Sequence, residues 1–282
     1  MSLGLELEQT HVVVTGASGM IGSQVALAFL SAGCFVTAID IVSPPSTFNS
    51  DKYLFIKADT TDEKEFEQSW FTAVKKFGPV ECCVALAALD LSVLKHHDSL
   101  ADMEISQFRR TLDVNISGTF LTARTWLRGI RESAEGLRNK NGGRNVSLII
   151  VGSESGHFGE RNNADYATSK SAVQFGLLQS LKADAPRVFA GARVNAIAPG
   201  PVATRKFWEE CKESPDMYWL DAQATVAQKR PVSIERVAKS ILYLASDAWS
   251  GDVHGHILNV DSGKVGKVMW TKEESTPPLF IS

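Results

Sequence analysis

A single doubly wound α/β domain is the fold class that the sequence predicts, on three observations. Short, continuous apolar runs alternate with amphipathic stretches from the start of the chain to about residue 260. The length of 282 residues suits one large domain, and no internal repeat or linker interrupts it before residue 263. Continuous apolar runs are typical of strands covered on both faces, as in a parallel sheet with right-handed crossovers. We therefore expect a parallel seven-stranded sheet with helices on both faces, in a domain of residues 1–263 followed by a C-terminal extension at 264–282.

Each predicted element follows from its local sequence. Apolar runs predict strands at residues 11–14, 34–39, 53–57, 80–88, 146–151, 192–197 and 256–260. Apolar residues at helical spacing predict helices at 20–32, 61–77, 102–132 (as one helix or two), 163–185 and 233–246. Gly33 is a typical residue to follow a helix, and Pro186 is expected to stop the fourth helix. The polar, glycine-containing stretch 133–145 is expected to be an exposed loop.

Composition and charge exclude several classes of protein. Apolar residues make up 44% of the chain and charged residues 22%, which excludes a disordered chain, a collagen-like repeat and a small disulfide scaffold. The net charge of −3 and the lack of like-charge blocks predict neither a nucleic-acid nor a membrane partner. The first ten residues have no basic start and no long apolar run, so we expect no secretory signal and a cytoplasmic location.

Cysteine and histidine positions predict no metal site. The four cysteines show no CxxC spacing, and two of them are adjacent in an apolar run, so all four are expected to be buried, reduced thiols. His96 and His97 precede Asp98 in a polar segment without a metal-binding spacing. This segment is expected to be a surface loop.

A glycine turn follows the first predicted strand, in the sequence TGASGMIG of residues 15–22. Gly16, Gly19 and Gly22 would allow a tight turn and a close approach of backbone N–H groups to a pyrophosphate at the start of the next helix. Asp40 ends the second strand, 24 residues after Gly16, where a carboxylate binds ribose hydroxyls and repels a 2′-phosphate. The pattern predicts a small-molecule dinucleotide cofactor, NAD(H) rather than NADP(H).

Tyr166 and Lys170 are four residues apart in the sequence YATSK, so both side chains lie on one face of a predicted helix. An ammonium group beside a phenol stabilises the phenolate and lowers the pKa of the tyrosine. Such a tyrosine can donate a proton to a carbonyl oxygen or remove one from an alcohol. The pair by itself is a frequent coincidence, so its meaning depends on other motifs.

Four further motifs stand at fitting positions. Ser153 follows the strand VSLIIV and lies thirteen residues before Tyr166 and three residues before Gly156. Ser155 is the other candidate, but it has neither of these two separations from the tyrosine and the glycine. Asn115 lies in DVNISGTF, the segment NAIAPGPVAT spans residues 195–204, and ADTTD contains an aspartate at position 59. With the glycine turn and the tyrosine–lysine pair, this order resembles the short-chain dehydrogenase/reductase family over roughly residues 8–263.

The resemblance implies a Rossmann-type fold and a set of site residues. Its catalytic tetrad would be Asn115, Ser153, Tyr166 and Lys170, with the asparagine ordering a water chain to the lysine. Asp59 would contact the adenine ring, while Ile197 and Thr204 would bond the nicotinamide carboxamide. The cofactor would be bound by Gly16, Ser18, Gly19, Met20, Ile21, Asp40, Asp59, Ala87, Tyr166, Lys170, Pro199, Gly200, Val202 and Thr204.

Two departures from the family pattern concern the cofactor side. The single-domain branch has a glycine where this chain has Met20, so the turn reads TGxxGxxG, the spacing of the extended branch. After the fourth strand the family has NNAG, whereas this chain has ALAA at residues 85–88. We expect the first change to alter pyrophosphate binding and the second to weaken support for the adenosine.

The substrate side is predicted from position. Residues 204–228 lie where the family has its substrate lid, and they contain more aromatic surface than a solvent loop needs. Trp208 in this lid, and Glu154 and His157 near the catalytic serine, are candidate substrate residues; packing and subunit contact are the alternatives.

We expect an NAD(H)-dependent oxidoreductase that interconverts a secondary alcohol and a ketone, on a bulky apolar or cyclic substrate. The alternatives are an NADP-dependent ketoreductase, a non-redox isomerase, dehydratase or cyclase on the same fold, and a dinucleotide sensor. The family implies a homotetramer, or else a homodimer, through helices at about 105–130 and 163–184. Val173, Leu177 and Leu181 form a stripe that could face the core or a partner.

Overall fold

The computed structural model describes residues 3–44 and 48–271, and at its centre is a sheet of seven parallel strands. The strands are β1 (His11–Thr15), β2 (Phe35–Asp40), β3 (Tyr53–Lys57), β4 (Cys82–Ala85), β5 (Ser147–Val151), β6 (Arg193–Pro199) and β7 (Ile257–Val260). Their order is β3-β2-β1-β4-β5-β6-β7. The chain builds outward from β1, returns to the centre and continues outward from β4, so a topological switch point lies between these two strands. The predicted fold class and number of strands are confirmed.

Helices cover both faces of the sheet. They are α1 (Met20–Ser31), α2 (Glu63–Phe77), α3 (Ile105–Leu112), α4 (Gly118–Glu132), α5 (Ala134–Asn141), α6 (Ser155–Phe158), α7 (Ala164–Ser171), α8 (Leu178–Val188), α9 (Arg205–Glu213), α10 (Pro215–Ala222), α11 (Ile234–Ala245) and α12 (Asp247–Ser250). Val12 and Val14 of β1 pack in one core with α1 and α11, whereas Val13 packs in the other with α2, α4 and α8. No helix in the described residues is long and apolar enough to cross a membrane.

The expectation of an exposed loop at 133–145 is wrong, because residues Ala134–Asn141 form α5. Its single strong apolar anchor, Leu137, is fully buried in the core, and Lys140 forms an ion pair of 2.8 Å with the buried Glu81. Gly142 ends the helix in a left-handed conformation (φ 74°). A helix of two turns with one buried residue shows no apolar period, so the pattern could not reveal it.

Pro186 is expected to stop the predicted helix at 163–185. This is also wrong, because the last part of that helix, α8, continues to Val188. A proline within a helix leaves the carbonyl four residues earlier without its usual donor. That carbonyl belongs to Lys182, and it accepts a hydrogen bond of 2.9 Å from Nε2 of His254. The partner is 72 residues away, so only the folded chain supplies it.

Two expectations about burial need correction. Cys34, Cys82 and Cys83 are buried free thiols as predicted, but Cys211 is only partly buried. His97 does not lie in a surface loop, since it is buried and its Nε2 lies 2.9 Å from Oε1 of Gln107. No group of three potential metal ligands is found in the described residues.

The apolar stripe that the sequence predicts within residues 163–184 faces the core. Val173 and Leu181 are buried there, and Leu177 packs against them. The stripe therefore stabilises the subunit itself, and a partner would have to use other residues of this helix.

Candidate active site

The predicted site residues meet at one edge of the sheet. The glycine turn follows β1, Asp40 ends β2, Ser153 follows β5 by two residues, and Gly200 follows β6. Because all seven strands are parallel, their carboxyl ends share that edge. In open α/β sheets this edge, at the switch point, is where ligands bind.

Two glycines of the turn are required by close packing. Gly16 has a left-handed φ of 67°, and a Cβ there would lie 2.7 Å from Cα of Ala87. At Gly22 a Cβ would collide with the carbonyl oxygen of Gly16. At Gly19, by contrast, the nearest atom would be 3.5 Å away, so the space before α1 is open.

The N-terminus of α1 fits an anionic group. Gly19 occupies the N-cap position without a side-chain hydrogen bond, and the first turn contains no acidic residue. The N–H groups of a first helical turn have no partner within the helix, and they attract a phosphate. Met20 stands at the first helical position, where its side chain is 39% exposed and leaves the packing of the turn intact.

Asp40 is held beside this turn by main-chain groups. Its Oδ2 accepts a hydrogen bond of 2.9 Å from the Ser18 N–H, and its Oδ1 accepts one of 3.0 Å from the Val42 N–H. Each carboxylate oxygen can accept a further hydrogen bond. The carboxylate is therefore oriented, with capacity left for two hydroxyl groups of a ligand.

The loop after β4, which lacks the family asparagine, is tethered by the side chain of Thr15. The Thr15 hydroxyl accepts hydrogen bonds from the N–H groups of Leu86 (3.1 Å) and Ala87 (3.3 Å). The ALAA loop is thus anchored to β1 despite its lack of polar side chains. Asp59 uses Oδ1 within its own turn, where it accepts hydrogen bonds of 2.8 Å from the N–H and the hydroxyl of Thr61.

On the nicotinamide side, the expectation for Ile197 is wrong. Ile197 is fully buried within β6, and its carbonyl accepts a hydrogen bond of 2.8 Å from the Gly152 N–H. Val202 and Thr204 lie beyond the strand, in the loop that leads to α9, and the Thr204 hydroxyl caps that helix by accepting the Phe207 N–H. These two loop residues remain available to a ligand.

Tyr166 and Lys170 lie one turn apart on α7, and both are buried. The ammonium nitrogen lies 5.7 Å from the centre of the tyrosine ring and donates a hydrogen bond of 2.9 Å to the Val151 carbonyl. Lys170 thus joins the helix that carries the tyrosine to the end of β5. This is the shared helix face that the sequence predicts.

Burial, rather than the lysine, controls the ionisation of Tyr166 in the protein alone. Burial raises the pKa of the phenol, the hydrogen bond with Ser153 opposes that rise, and Asp90 and nearby glutamates add to it. Burial lowers the pKa of Lys170 to about 8, and Asp90 opposes this change. The predicted lowering of the tyrosine pKa is wrong for the chain by itself.

Ser153 is held by a residue that the sequence analysis missed. Its N–H donates a hydrogen bond of 2.9 Å to Oε1 of Gln174, a fully buried residue in the π-helical segment Ala172–Leu177. A Cβ at Gly152 or Gly156 would collide with this side chain. The glycines make the space and Gln174 fills it, but its position four residues after Lys170 has no recognisable signal.

Asn115 connects three parts of the site from another π-helical segment, Asp113–Ser117, which joins α3 to α4. Its amide nitrogen donates hydrogen bonds of 3.0 Å to the Leu89 carbonyl and to the Ser169 hydroxyl. Its Oδ1 accepts the Leu89 N–H at 2.7 Å. The side chain therefore ties the loop after β4 to the helix that carries Tyr166.

The candidate substrate residues differ in their surroundings. Glu154 is buried, and its Oε1 lies 2.8 Å from the ammonium group of Lys267. His157 is partly exposed and lies 3.0 Å from Oδ1 of Asn259. Trp208 is 44% exposed and stacks on Tyr218 in the lid, with ring centres 5.8 Å apart. No local pattern could have indicated the lysine, because it lies 113 residues from the glutamate.

Known proteins resemble the chain over most of its length. A family model described as enoyl-(acyl carrier protein) reductase matches residues 16–264. Short-chain dehydrogenase reductase 5 of Arabidopsis thaliana is 30% identical over 268 residues, which cover 92% of this chain and 96% of that protein. Cis-4-hydroxycyclohexanecarboxylate dehydrogenase of Sinomonas cyclohexanicum is 28% identical over 275 residues, which cover 93% and 98%.

Solved structures share the fold. A short-chain dehydrogenase from Leptospira borgpetersenii with bound NAD+ superposes with a TM-score of 0.78 at 22% identity, covering 93% of this chain and 95% of that one. The ligand-free aldohexose dehydrogenase of Thermoplasma acidophilum gives a TM-score of 0.76 at 24% identity, covering 92% and 94%. At these identities the likeness shows the architecture alone.

Proposed function

Because the chain belongs to the short-chain dehydrogenase/reductase family of oxidoreductases, we propose that it interconverts a secondary alcohol and a ketone with NAD(H). The observation that carries this proposal is the buried group of Ser153, Tyr166 and Lys170 at the carboxyl edge of the sheet. Ser153 favours the ionised form of the phenol, and the lysine shares the helix face of the tyrosine. These are the groups that a proton transfer to a substrate oxygen requires.

The residues at the glycine turn fit a nicotinamide dinucleotide. The open space at Gly19 and the uncapped start of α1 suit a pyrophosphate, and the oriented carboxylate of Asp40 suits two ribose hydroxyls. A carboxylate at this position repels a 2′-phosphate, which favours NAD(H) over NADP(H). The short-chain dehydrogenase from Leptospira borgpetersenii, which shares the fold, was solved with bound NAD+.

The protein's own groups handle the proton. When bound, the nicotinamide donates a hydride to the carbonyl carbon or accepts one from the alcohol carbon. In the reductive direction Tyr166 gives its hydroxyl proton to the oxygen of the substrate, while the Ser153 hydroxyl donates a hydrogen bond to the same oxygen. In the oxidative direction the phenolate takes that proton back. Lys170, on the same helix face, favours the phenolate and would bind the cofactor ribose.

The pKa of Tyr166 sets the pH dependence of the two directions. Because burial raises this pKa, the phenol is protonated at neutral pH and ready for ketone reduction. Alcohol oxidation needs the phenolate, so its rate is expected to rise with pH.

The lid supports a bulky apolar or cyclic substrate. Phe207, Trp208 and Tyr218 form an aromatic cluster with ring centres 5.3–6.4 Å apart. Flat aromatic surfaces in the lid suit a substrate with an apolar ring that carries one hydroxyl or keto group.

The proposal includes a homotetramer that uses the two helices named by the family resemblance. A partner seated on these helices would cover Phe120 on α4 and Phe175 after α7, which are 47% and 42% exposed. Light scattering at micromolar concentration tests this, and a monomer would contradict it.

The test of function measures cofactor binding and turnover separately. NADH binding is followed by quenching of tryptophan fluorescence, and turnover by NADH consumption with a panel of cyclic and aliphatic ketones. We expect at least tenfold tighter binding of NADH than of NADPH, and stoichiometric reduction of at least one ketone. Binding without turnover on any carbonyl would favour a non-redox enzyme of the same fold, and an equal or reversed preference would contradict the role of Asp40.

A further inference from the structure

The C-terminal strap, which we define as residues 264–267, lies against both the lid and the catalytic loop. The Lys264 ammonium donates a hydrogen bond of 3.0 Å to the Asp221 carbonyl at the end of α10. The Val265 N–H donates one of 3.0 Å to the carbonyl of Thr225, in the last part of the lid. Main-chain and side-chain contacts thus hold the strap beside the lid.

Lys267 bridges two carboxylates of the loop that follows Ser153. Its ammonium nitrogen lies 2.8 Å from Oε1 of Glu154 and 2.7 Å from Oε2 of Glu160. The Glu160 carboxylate also accepts a hydrogen bond of 3.1 Å from the Ser155 hydroxyl. The bridge therefore closes a ring around the residues directly after the catalytic serine.

The bridge lies largely out of solvent. The side chains of Glu154 and Lys264 are 6% and 0% exposed, and those of Lys267 and Glu160 are 21% and 19% exposed. A buried charge that loses its partner is costly, and its field reaches further than that of a surface charge. Glu160 and Glu154 raise the pKa of Lys267 to about 12 against the effect of burial, so the ammonium stays charged at working pH.

Charged groups act on the Tyr166 hydroxyl from every side of the site. Glu154 and Glu160, in the segment that follows Ser153, and Asp90 after β4 disfavour the phenolate. The ammonium nitrogen of Lys170 lies 5.7 Å from the centre of the Tyr166 ring. The strap lysines lie close to Glu154, and Asp221 of the lid lies near both of them. The Lys267–Glu154–Glu160 group carries a net charge of −1 when all three are ionised, and it would carry −2 without the lysine.

We propose that Lys267 is a positioning residue for the active site: it holds the segment after Ser153 against the strap and offsets the charge of Glu154, the residue next to Ser153, and of Glu160. The proposal rests on the proposed function, because the charge matters to turnover only if Tyr166 moves the proton. Lys267 thereby acts on the catalytic group through Glu154, a residue expected from the sequence to contact the substrate.

The test is the pH profile of kcat for alcohol oxidation in a charge series. In Lys267→Met the rising limb of this profile is expected to shift to higher pH by about half a pH unit or more. At a fixed pH on that limb, kcat would then fall roughly threefold or more. Glu154→Gln removes a negative charge and should shift the rising limb to lower pH. The double variant restores the net charge and should return the limb toward the wild type, and Lys267→Arg should keep the wild-type limb.

Controls separate charge from folding. Lys239→Met breaks an ion pair of 2.6 Å on the exposed face of α11 and should leave the limb unchanged. Thermal unfolding and NADH affinity are measured for each variant, and NADH affinity is expected to stay within about twofold. If Lys267→Met does not fold, the downward shift in Glu154→Gln decides the question.

Each failure has a distinct signature. The role of Lys267 would be overturned if the rising limb did not shift in folded Lys267→Met or in Glu154→Gln. It would also be overturned if the double variant kept the shift of Lys267→Met. A Tyr166→Phe enzyme with wild-type turnover would overturn the proposed function instead, whatever the strap variants do.

Discussion

The two ends of the sheet both bury charged groups, but they use them differently. At the amino end, Arg193 at the start of β6 is buried and donates hydrogen bonds to Asp247 and to main-chain carbonyls, those of Leu244, Ala245 and Ser250. Glu81, which precedes β4, accepts the His11 N–H at 2.8 Å and pairs with Lys140 at 2.8 Å. Protein groups pair with each of these charges, although Oε1 of Glu81 has only its ion pair with Lys140 and no hydrogen bond in the described residues.

At the carboxyl end the buried polar groups retain unused capacity. Oε2 of Glu154, Nε2 of Gln174 and Oδ1 of Asp165 are buried without a hydrogen-bond partner in the described residues. Such atoms are uncommon in folded proteins and concentrate where function requires them. At the amino end the buried charges are paired within the protein and stabilise the fold, whereas buried polar atoms near Ser153 and Tyr166 leave hydrogen-bonding capacity that a reaction can use.

The largest expected effect is on turnover, at the carboxyl end. Tyr166→Phe removes one hydroxyl, leaves the ring packing, and should lower kcat roughly 10²–10⁴-fold with NADH affinity nearly intact. The matched control is Tyr53→Phe, since the Tyr53 hydroxyl is also buried and has no partner in the described residues. Steady-state kinetics with stopped-flow NADH binding measure both. Equal losses in the two variants would mean that Tyr166 matters only for packing.

At the amino end the expected effect is on stability. Lys140→Met leaves Glu81 buried without its cation, which should lower the free energy of unfolding by about 3–5 kcal/mol. Burial already raises the pKa of Glu81, and the loss of the lysine raises it further. The native state then binds the proton more tightly than the unfolded state, so stability should recover as pH falls from 7 to 5.

Chemical denaturation at both pH values tests this, with Glu81→Gln/Lys140→Met as the neutral control. Burial lowers the pKa of His11 to about 4, so the control should lose stability as pH falls, and the effect of Glu81 is the difference between the two variants. The kcat of the folded Lys140→Met fraction should match the wild type. Lost turnover at unchanged stability would break the division between the two ends.

A smaller effect is expected at the cofactor edge. Asp40→Ala removes hydrogen bonds to a charged acceptor, which contributes roughly 1.5–3 kcal/mol, or about 10- to 150-fold in NADH affinity. NADPH affinity should stay constant or rise, because the repulsion of the 2′-phosphate is lost. Isothermal titration with both dinucleotides measures this, and an equal loss for both would indicate a collapsed turn.

The smallest effect concerns Gln174. Gln174→Met keeps the volume but removes the acceptor for the Ser153 N–H, so kcat should fall by about 3- to 10-fold, the worth of one hydrogen bond. KM for NADH should not change in this variant. A matching change in thermal stability without a change in kcat would make the residue purely structural.

The sequence alone determined the strands, most helices and which candidate site residues lie at the carboxyl edge of the sheet. All seven predicted strands are present, because buried parallel strands need continuous apolar runs that can be seen locally. The tyrosine and lysine share a helix face because a separation of four residues sets their direction. Gly16 packs against the ALAA loop because only glycine fits there.

Tertiary structure alone decided what depends on distant partners. Helix α5 needs the buried site of Leu137, α8 continues past Pro186 because His254 takes the freed carbonyl, and Lys267 meets Glu154 from 113 residues away. The pKa direction of Tyr166 also escaped the sequence, since it depends on burial rather than on the neighbouring lysine. Periodicity and spacing record local geometry, whereas these contacts exist only once the sheet has brought separate segments together.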